Sequence, residues 1–469
     1  MASTQLAVVG GGPGGYAAAF LAADLGLSTT LIDNEINPGG VCVYRGCIPS
    51  KALLHVAKVL DEARHAAAWG VEFAEPKIDL AKLRQFKDGV VQRLTSGTGQ
   101  LVKHRKVHYI QGLAEIVDPH TLKVKTAGGE ETIAFEHAIL ATGSIPAMPR
   151  TLTVDDPRVM DSTAALDLPD VPASLLVVGG GYIGLELGSV YATLGSAVTV
   201  VEMTAGLLPG ADRDLVDVLA KRVNRQMKAV LLNTSVAGLK AERQGIRVTF
   251  EGDGAKQKDQ LFDRVLVSVG RRPNSRIPGL DSTRVKVDER GFIVVDEQLR
   301  TDEPSMFAIG DVVGEPMLAH KASHQGRVAV EVIAGENVAF HPRAIPAVVF
   351  TDPEIAWAGL TETQAKEAGR KIVVAKFPWG ASGRAITLDR TDGLTKLILD
   401  QATEQILGVG LVGPGAGELI AEGVLAIEMG ANATDLKLSI HPHPTLTETM
   451  MESAEVFFGQ ATHVYRPRR

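Results

Sequence analysis

The feature that most constrains the fold is a stretch of chain written twice. Leu6 to Asp33 reads LAVVGGGPGGYAAAFLAADLGLSTTLID, Leu175 to Glu202 reads LLVVGGGYIGLELGSVYATLGSAVTVVE, and the two superpose without a gap. Each runs from an apolar strand through a glycine turn and an Ala- and Leu-rich helix closing at a glycine (Gly26, Gly195) to a second strand that ends on a carboxylate. This is the βαβ unit of a dinucleotide-binding fold. A lone G-x-G-x-x-G is weak, but here Gly10, Gly12 and Gly15, and then Gly179, Gly181 and Gly184, all sit between strand and helix, with the acid at the same spacing in both copies. The first glycine permits the tight turn, the second lets backbone approach a pyrophosphate, and the third lets helix and strand pack closely. The helix N-terminus stabilises the phosphate charge, and Asp33 and Glu202 are placed to accept from a ribose hydroxyl. Tight turns without a ligand are the alternative, and the coincidence of two copies weighs against it.

Two such sites imply two dinucleotides, a flavin on one side and a nicotinamide on the other. The only cysteines, Cys42 and Cys47, follow shortly after Asp33, so the first site is expected to hold the cofactor that exchanges electrons with thiols, FAD. The second site then takes NAD. Glu202 would repel a 2'-phosphate, and Met203, Thr204, Ala205 and Gly206 offer no basic residue to receive one.

The cysteines lie in GGVCVYRGCIPSKALLH, Gly39 to His55, with four residues between them, within disulfide reach if the backbone turns. The apolar run Ala52 to Leu60 suggests a helix beginning nearby, whose free N–H groups favour a thiolate, and Arg45 and Lys51 add positive charge on either side. Buried free thiols, or half of a zinc site, remain open alternatives. A chain of 469 residues, 45% hydrophobic and 5% aromatic, buries several cores and suggests about three domains. The formal net charge of -7, without a basic stripe interleaved with aromatics, argues against nucleic acid as a partner. No secretion signal and no long apolar span is visible, so a cytoplasmic protein with no membrane partner is expected, where a lone cysteine pair is catalytic sooner than structural. The closing Arg466, Pro467, Arg468 and Arg469 reads as a solvated tail.

Further along, HAILATGSIP (His137 to Pro146) is a buried strand ending in a glycine turn, followed by a proline-marked connection, and DRVLVSVGRRPN (Asp263 to Asn274) has the same form. MFAIGDVVGEPMLAHKASHQG (Met306 to Gly326) reads as strand, Gly-Asp turn and helix, with Asp311 placed to bind a polyol or simply to make the turn. From about Ile345 the character changes, with a helix opened by the capping box Thr361 to Gln364. The last block carries IHPHPTLTETMMESAEVF, where His441 and His443 alternate with prolines. A histidine is the natural proton acceptor for a thiol, and Glu448 would orient it, although Thr445 to Glu448 is also a capping box in which Glu448 serves only the helix. His55 is expected to be a core or surface residue.

The first fingerprint, GGVCxxxGCIPSK, ATG at Ala141 to Gly143, the second fingerprint, AIGD at Ala308 to Asp311, MLAH at Met317 to His320 and HPHPTLTE together resemble the flavin-dependent disulfide reductases, in order and over essentially the whole chain. Within that family the set is most similar to the members that oxidise dihydrolipoamide. The resemblance implies an α/β fold: two Rossmann-like dinucleotide-binding domains plus a C-terminal α+β dimerisation domain. It divides into an FAD domain over 1–150, an NAD domain over 151–275, a central domain over 276–344 that completes the FAD site, and an interface domain over 345–469. It implies that Cys42 exchanges with the substrate disulfide, that Cys47 lies against the flavin, and that Lys51 and Glu186 pair near the flavin ring. It places Thr142, Gly143, Gly270, Met317, Leu318, Ala319 and His320 with the cofactor sites, Asp311 on the flavin chain, and His443 with Glu448 in the partner subunit's site of a homodimer. The implied partners are the lipoyl domains and acyltransferase core of 2-oxo acid dehydrogenase complexes. Reduction of glutathione or a metal ion by NADPH is the near alternative. A nucleotide-binding protein holding zinc on Cys42, Cys47, His441 and His443 is the distant one. Two departures stand out: the commonest family form has Asn and Val where Tyr44 and Arg45 stand, and Asp33 replaces the commoner Glu. Arg45 is expected to lower thiolate pKa values or alter the reduction potential.

Overall fold

The computed structural model describes residues 2–465; the Arg466 to Arg469 tail lies outside the described residues. The first repeat becomes strand β1 (Ala2–Val9), helix α1 (Pro13–Asp24) and strand β2 (Thr29–Asp33). Leu6, Ala7 and Val8 are fully buried, as a strand covered on both faces requires, and β1 pairs in parallel with β2. Helices α2 (Gly40–Arg45), α3 (Cys47–His65) and α4 (Leu80–His104) follow, then strands β3 (His108–Gln111), β4 (Leu113–Asp118), β5 (Thr121–Thr126) and β6 (Gly129–Leu140). The sheet runs β3-β2-β1-β6-β5-β4. A strand from far along the chain, Met306–Ala308, adds in parallel to β6, so the 276–344 segment shares the first sheet.

Small residues explain what covers this sheet. The buried face of α1 is Gly14, Gly15, Ala18, Ala19 and Ala22, and it meets the helix Ala319–Ile333 almost backbone to backbone. A Cβ on Gly326 would stand 2.5 Å from the Gly14 carbonyl oxygen, and one on Gly14 would stand 2.9 Å from that of Ala322. This packing fixes the MLAH segment beside the first glycine turn.

The second repeat folds as its twin. Strands Ser174–Val178 and Ala197–Val201 pair in parallel, joined by the helix Tyr182–Leu194, in a five-stranded parallel sheet that also includes Arg264–Val267. The two glycine turns that end HAILATG and VLVSVG lead into short antiparallel strands, Ser144–Pro146 and Arg271–Pro273, that pair with each other and join the two units. The third region is an antiparallel sheet, Ala347–Val349, Glu354–Gly359, Ile406–Gly413, Leu394–Asp400 and Ile372–Pro378 in spatial order, covered by Ala416–Glu428, Ala433–Leu438 and Glu448–Phe457. The expected capping box forms, with the Thr361 side chain accepting from the Gln364 N–H and the Gln364 side chain from the Thr361 N–H. Among the described residues no helix is long and apolar enough to cross a membrane.

One ionic cluster ties the second unit to the third. Lys396 is fully buried and its ammonium lies 2.6 Å from Asp212, 2.8 Å from Asp214 and 2.7 Å from Glu362. Those three acids form the one grouping at metal-ligand spacing among the described residues, and the lysine takes the cation's place. Burial raises the Asp214 carboxyl, but Lys376 and Lys396 overcome this and hold it below the ordinary range. Its contribution to stability is therefore present above the ordinary carboxylate pKa and is lost as the pH falls below it. Replacing Lys396 with Met should destabilise the fold by about 3–5 kcal/mol by leaving the buried Asp212 carboxylate without a counter-charge, since Lys376 reaches only Asp214 and Glu362. The measurement is the denaturant midpoint at unchanged slope; a midpoint equal to that of the unmodified protein would show that the acids do not need the ammonium.

Candidate active site

A cleft of about 400 Å³ runs from the first glycine turn past both cysteines to Asp311. Gly10 and Gly12 sit at its start, at the C-terminal end of β1 and the N-terminus of α1, where an α/β sheet offers a phosphate site. The glycines divide by what needs their smallness. A Cβ on Gly10 would stand 2.3 Å from the Ala141 carbonyl oxygen, and one on Gly15 would stand 1.8 Å from that of Gly10, so protein backbone forbids both. Gly179 and Gly184 repeat this at 2.5 Å from Ser268 and 2.2 Å from Gly179. The middle glycines differ: a Cβ on Gly12 would find its nearest neighbour 3.9 Å away, and one on Gly181 nothing within 4 Å. No protein atom requires a glycine there, whereas a closely approaching diphosphate does. The residues present therefore fit a dinucleotide at each turn.

The two acids repeat each other as well. Asp33 accepts from the Gly11 N–H and, at 2.9 Å, from the Glu35 N–H; Glu202 accepts from the Gly180 N–H at 2.7 Å and the Thr204 N–H at 2.8 Å. Each carboxylate braces its own glycine turn and retains lone pairs for a ribose. Burial is the largest influence on Asp33 and raises its pKa.

The expected helix near the cysteines begins at Cys47 itself, at the first position of α3, while Cys42 lies within α2. Both are free thiols, and Cys42 donates to the Cys47 sulfur. That hydrogen bond, with Lys51 adding to it against burial and Glu186, lowers the Cys47 pKa to about 7. The same hydrogen bond first, then burial and the neighbouring Cys47 charge, hold Cys42 well above its ordinary value. The Arg45 guanidinium pairs with Glu35 at 2.6 Å.

Lys51 donates to Glu186 at 2.8 Å, as the resemblance implied. Glu186 is buried and also accepts from Ser50 Oγ at 3.0 Å and the Phe350 N–H at 3.0 Å. Thr142 Oγ1 donates to the Asn274 carbonyl at 2.8 Å, and the Asn274 N–H to the Gly143 carbonyl at 2.9 Å. Gly270 accepts from the Ala147 N–H and lies outside this cleft. Asp311 accepts from Ser144 Oγ at 2.5 Å, which accepts from Arg271 Nε at 2.7 Å. Met317 and Ala319 line the cleft; Leu318 precedes the helix, and His320 turns to the Pro346 carbonyl at 2.8 Å. Ser50, Phe350, Ser144, Arg271 and Tyr182 belong to this site yet were missed, since nothing local in the sequence marks them.

His443 and Glu448 pair at 2.9 Å but do not line the cleft of their own chain, and the His443 side chain is 73% exposed. The Glu448 carboxylate also accepts from the Thr445 N–H at 2.7 Å, but Thr445 does not complete the expected box; it turns its hydroxyl to Pro442 and Thr447. Burial opposes ionisation of Glu448, and the Thr445 N–H and His443 together hold its pKa down. His441 is structural in its contacts, held between the Ser439 carbonyl at 2.9 Å and Glu422 at 2.7 Å. The zinc arrangement is therefore not assembled: no group of these cysteines and histidines converges among the described residues.

The pyridine nucleotide-disulphide oxidoreductase family profile matches residues 4–326, and the dimerisation domain of the same family matches residues 345–454. This chain belongs to that family. As a pyridine nucleotide-disulphide oxidoreductase it has two Rossmann-like domains and a C-terminal dimerisation domain, and its cofactors are FAD and NAD(H). It is 49% identical to a dihydrolipoyl dehydrogenase of Haemophilus influenzae over 98% of this chain and 96% of the relative. It is 45% identical to one from Haloferax volcanii over 98% and 97%. Among solved structures it superposes on LpdA from Mycobacterium tuberculosis with a TM-score of 0.90 at 27% identity, covering 97% of this chain and 99% of that one. It superposes on the Cu(II) complex of the flavoprotein disulfide reductase RclA from Escherichia coli with a TM-score of 0.87 at 29% identity, covering 97% and 100%.

If the hydrogen bond from Cys42 sets the charge on Cys47, the reduced protein should show a thiolate that grows in as the pH rises through about 7, and Cys42→Ala should move that transition upward. Thiolate ultraviolet absorbance against pH measures both. An unmoved transition in the variant would show that α3 and Lys51 suffice.

Proposed function

We propose that the chain is an NAD-dependent dihydrolipoyl dehydrogenase, cytoplasmic and homodimeric, serving lipoyl domains of 2-oxo acid dehydrogenase complexes. The observation that carries this is the pairing of two unlike thiols in one cleft with the first glycine turn, in a chain 43–49% identical to dihydrolipoyl dehydrogenases over nearly its full length. The four-part division at 150, 275 and 344 is kept as part of the proposal.

Each residue then has a task. In the oxidised protein the Cys42–Cys47 disulfide accepts the electron pair: a dihydrolipoamide thiolate attacks Cys42 and Cys47 leaves as thiolate. The second substrate thiol then displaces Cys42, giving lipoamide and the dithiol. Cys47 is the better leaving group because its pKa is the lower of the two. His443 takes the substrate proton at Nε2 while Glu448 holds Nδ1. When bound, FAD and NAD supply the redox chemistry that drains electrons from the dithiol. Gly10, Gly12, Asp33, Thr142, Gly143 and Asp311 hold the flavin; Gly179, Gly181, Glu202 and Gly270 hold the nicotinamide cofactor.

Because His443 lies outside its own chain's cleft, the base comes from a second copy. Leu425, Met429, Leu438 and Ile440 lie within the dimerisation region and expose 63–98% of their surface beside the histidine segment, an apolar face that a second chain would cover. The alternative of a metal-ion reductase is less favoured, since no further cysteine exists to carry the metal and the relative solved with Cu(II) is only 29% identical.

Anaerobic titration with dihydrolipoamide, followed by NAD, should reduce and then reoxidise the protein; failure of dihydrolipoamide to reduce it would overturn the assignment. The unmodified enzyme should strongly prefer NAD over NADP, and Glu202→Ala should narrow the preference. Mixing inactive His443→Gln chains with inactive Cys47→Ser chains should restore part of the activity, because hybrid dimers contain one site with both partners intact. No recovery despite proven subunit exchange would place the base within one chain.

A further inference from the structure

Arg45 stands in the active-site cleft, with its guanidinium paired to Glu35. It closes a short chain of contacts that begins at the first glycine turn. The Gly11 N–H donates to Asp33, the Glu35 N–H donates to the other Asp33 oxygen, and the Glu35 carboxylate accepts from Arg45 Nη1 at 2.6 Å. Arg45 thus lines the same cleft as Gly12 and Pro13 of the α1 N-terminus, and its charge is felt at Asp33. Only Nη1 has a partner: among the described residues, Nε and Nη2 donate to no protein acceptor, although the side chain is just 40% exposed.

A purely structural purpose for the Arg45–Glu35 pair is hard to find. The loop that carries Glu35 is already pinned at four points. Gln111 Nε2 donates to the Asn34 carbonyl at 3.1 Å and Tyr109 to the Glu35 carbonyl at 2.7 Å. Tyr44 donates to the Asn37 carbonyl at 3.0 Å and Thr98 to the Pro38 carbonyl at 2.6 Å. A half-exposed ion pair adds about 1 kcal/mol or less to such a loop. What the cleft lacks at this end is positive charge. Asp33 and Glu35 are both acidic, and a dinucleotide brings a doubly charged diphosphate next to them, with the α1 N-terminus as the other favourable partner.

We propose that Arg45 is a retention residue for FAD: its free N–H groups hold the diphosphate, in competition with the Glu35 carboxylate on Nη1. The inference rests on the first glycine turn being the flavin site. It assigns Arg45 to cofactor binding.

The test follows release of FAD from the holoenzyme by the fluorescence of free flavin after dilution, over a series of KCl concentrations, in the unmodified protein and in Arg45→Val, Arg45→Lys and Glu35→Gln. Loss of a charge-assisted contact should speed release roughly tenfold in Arg45→Val at low salt. Arg45→Lys should fall between the two, because a lysine keeps the charge without the fork. Salt should accelerate release in the unmodified protein more than in Arg45→Val, whose screened interaction is gone. Glu35→Gln should retain FAD at least as well as the unmodified protein, because it removes a competing anion and leaves the cation. Release from Arg45→Val at the unmodified rate would overturn the proposal. Equal acceleration in Arg45→Val and Glu35→Gln with unchanged salt dependence would overturn it too, by showing that the ion pair only braces the loop. An unmodified protein that holds no flavin would instead remove the reading of the first site on which the inference rests.

Discussion

The buried pair between Lys51 and Glu186 is the contact on which the geometry of the site depends. Lys51 belongs to α3, Glu186 to the helix after the second glycine turn, and the Phe350 N–H that completes the carboxylate belongs to the third region. A carboxylate only 3% exposed must have its charge and lone pairs met within the protein, and removing one partner of such a pair costs about 3–5 kcal/mol. Three parts of the chain are thereby held to one arrangement around a single carboxylate. The Lys51 ammonium also sits 4.3 Å above the Phe350 ring, which fixes its direction. Lys51 lies one helical turn beyond Cys47 on α3, so the same ammonium that locks the domains lowers the Cys47 pKa, and Glu186 tempers it.

Inequality between the thiols then follows from topology. Cys47 opens a 19-residue helix beside a lysine, whereas Cys42 lies in a six-residue helix and spends its proton on its neighbour. One sulfur is stable as a thiolate near neutral pH; the other remains a thiol. A disulfide between such partners breaks asymmetrically, because the sulfur that leaves more readily is the one whose anion is already stabilised.

Local pattern made the twin βαβ units legible, since a buried parallel strand, a glycine turn and a small-residue helix leave a period and a spacing that survive without tertiary information. Even the bracing of each turn by its own acid repeats, although the sequence announces only the acid and not the N–H groups it meets. The capping box at Thr361 was readable for the same reason. Contacts that cross the chain were not. Ser50 to Glu186, Glu186 to Phe350 and Ser144 to Asp311 join residues 136, 164 and 167 apart, and two of these use a hydroxyl or a backbone N–H that carries no motif. Arg45 meets Glu35, ten residues earlier, in a contact that no motif announces. His441 and His443 look alike in the sequence, and only their partners separate a ring held at both nitrogens from one held at Nδ1 alone.

The exposed His443 ring lies outside the cleft of its own chain. A general base must come within hydrogen-bond reach of the proton it takes, directly or through one water. His443 is aimed by Glu448, yet its side chain is largely exposed and does not line the cleft. A positioned imidazole costs order to maintain, and Glu448 gives one carboxylate oxygen to it while the other accepts from the Thr445 N–H. Such an arrangement has a use only if something docks onto it. The exposed leucine, methionine and isoleucine side chains beside it provide the apolar area for docking, and a two-fold axis would deliver each histidine to the other chain's cysteines. On this reading dimerisation is a catalytic requirement, and a folded, flavin-loaded monomer would hold every residue of the site without holding a complete site.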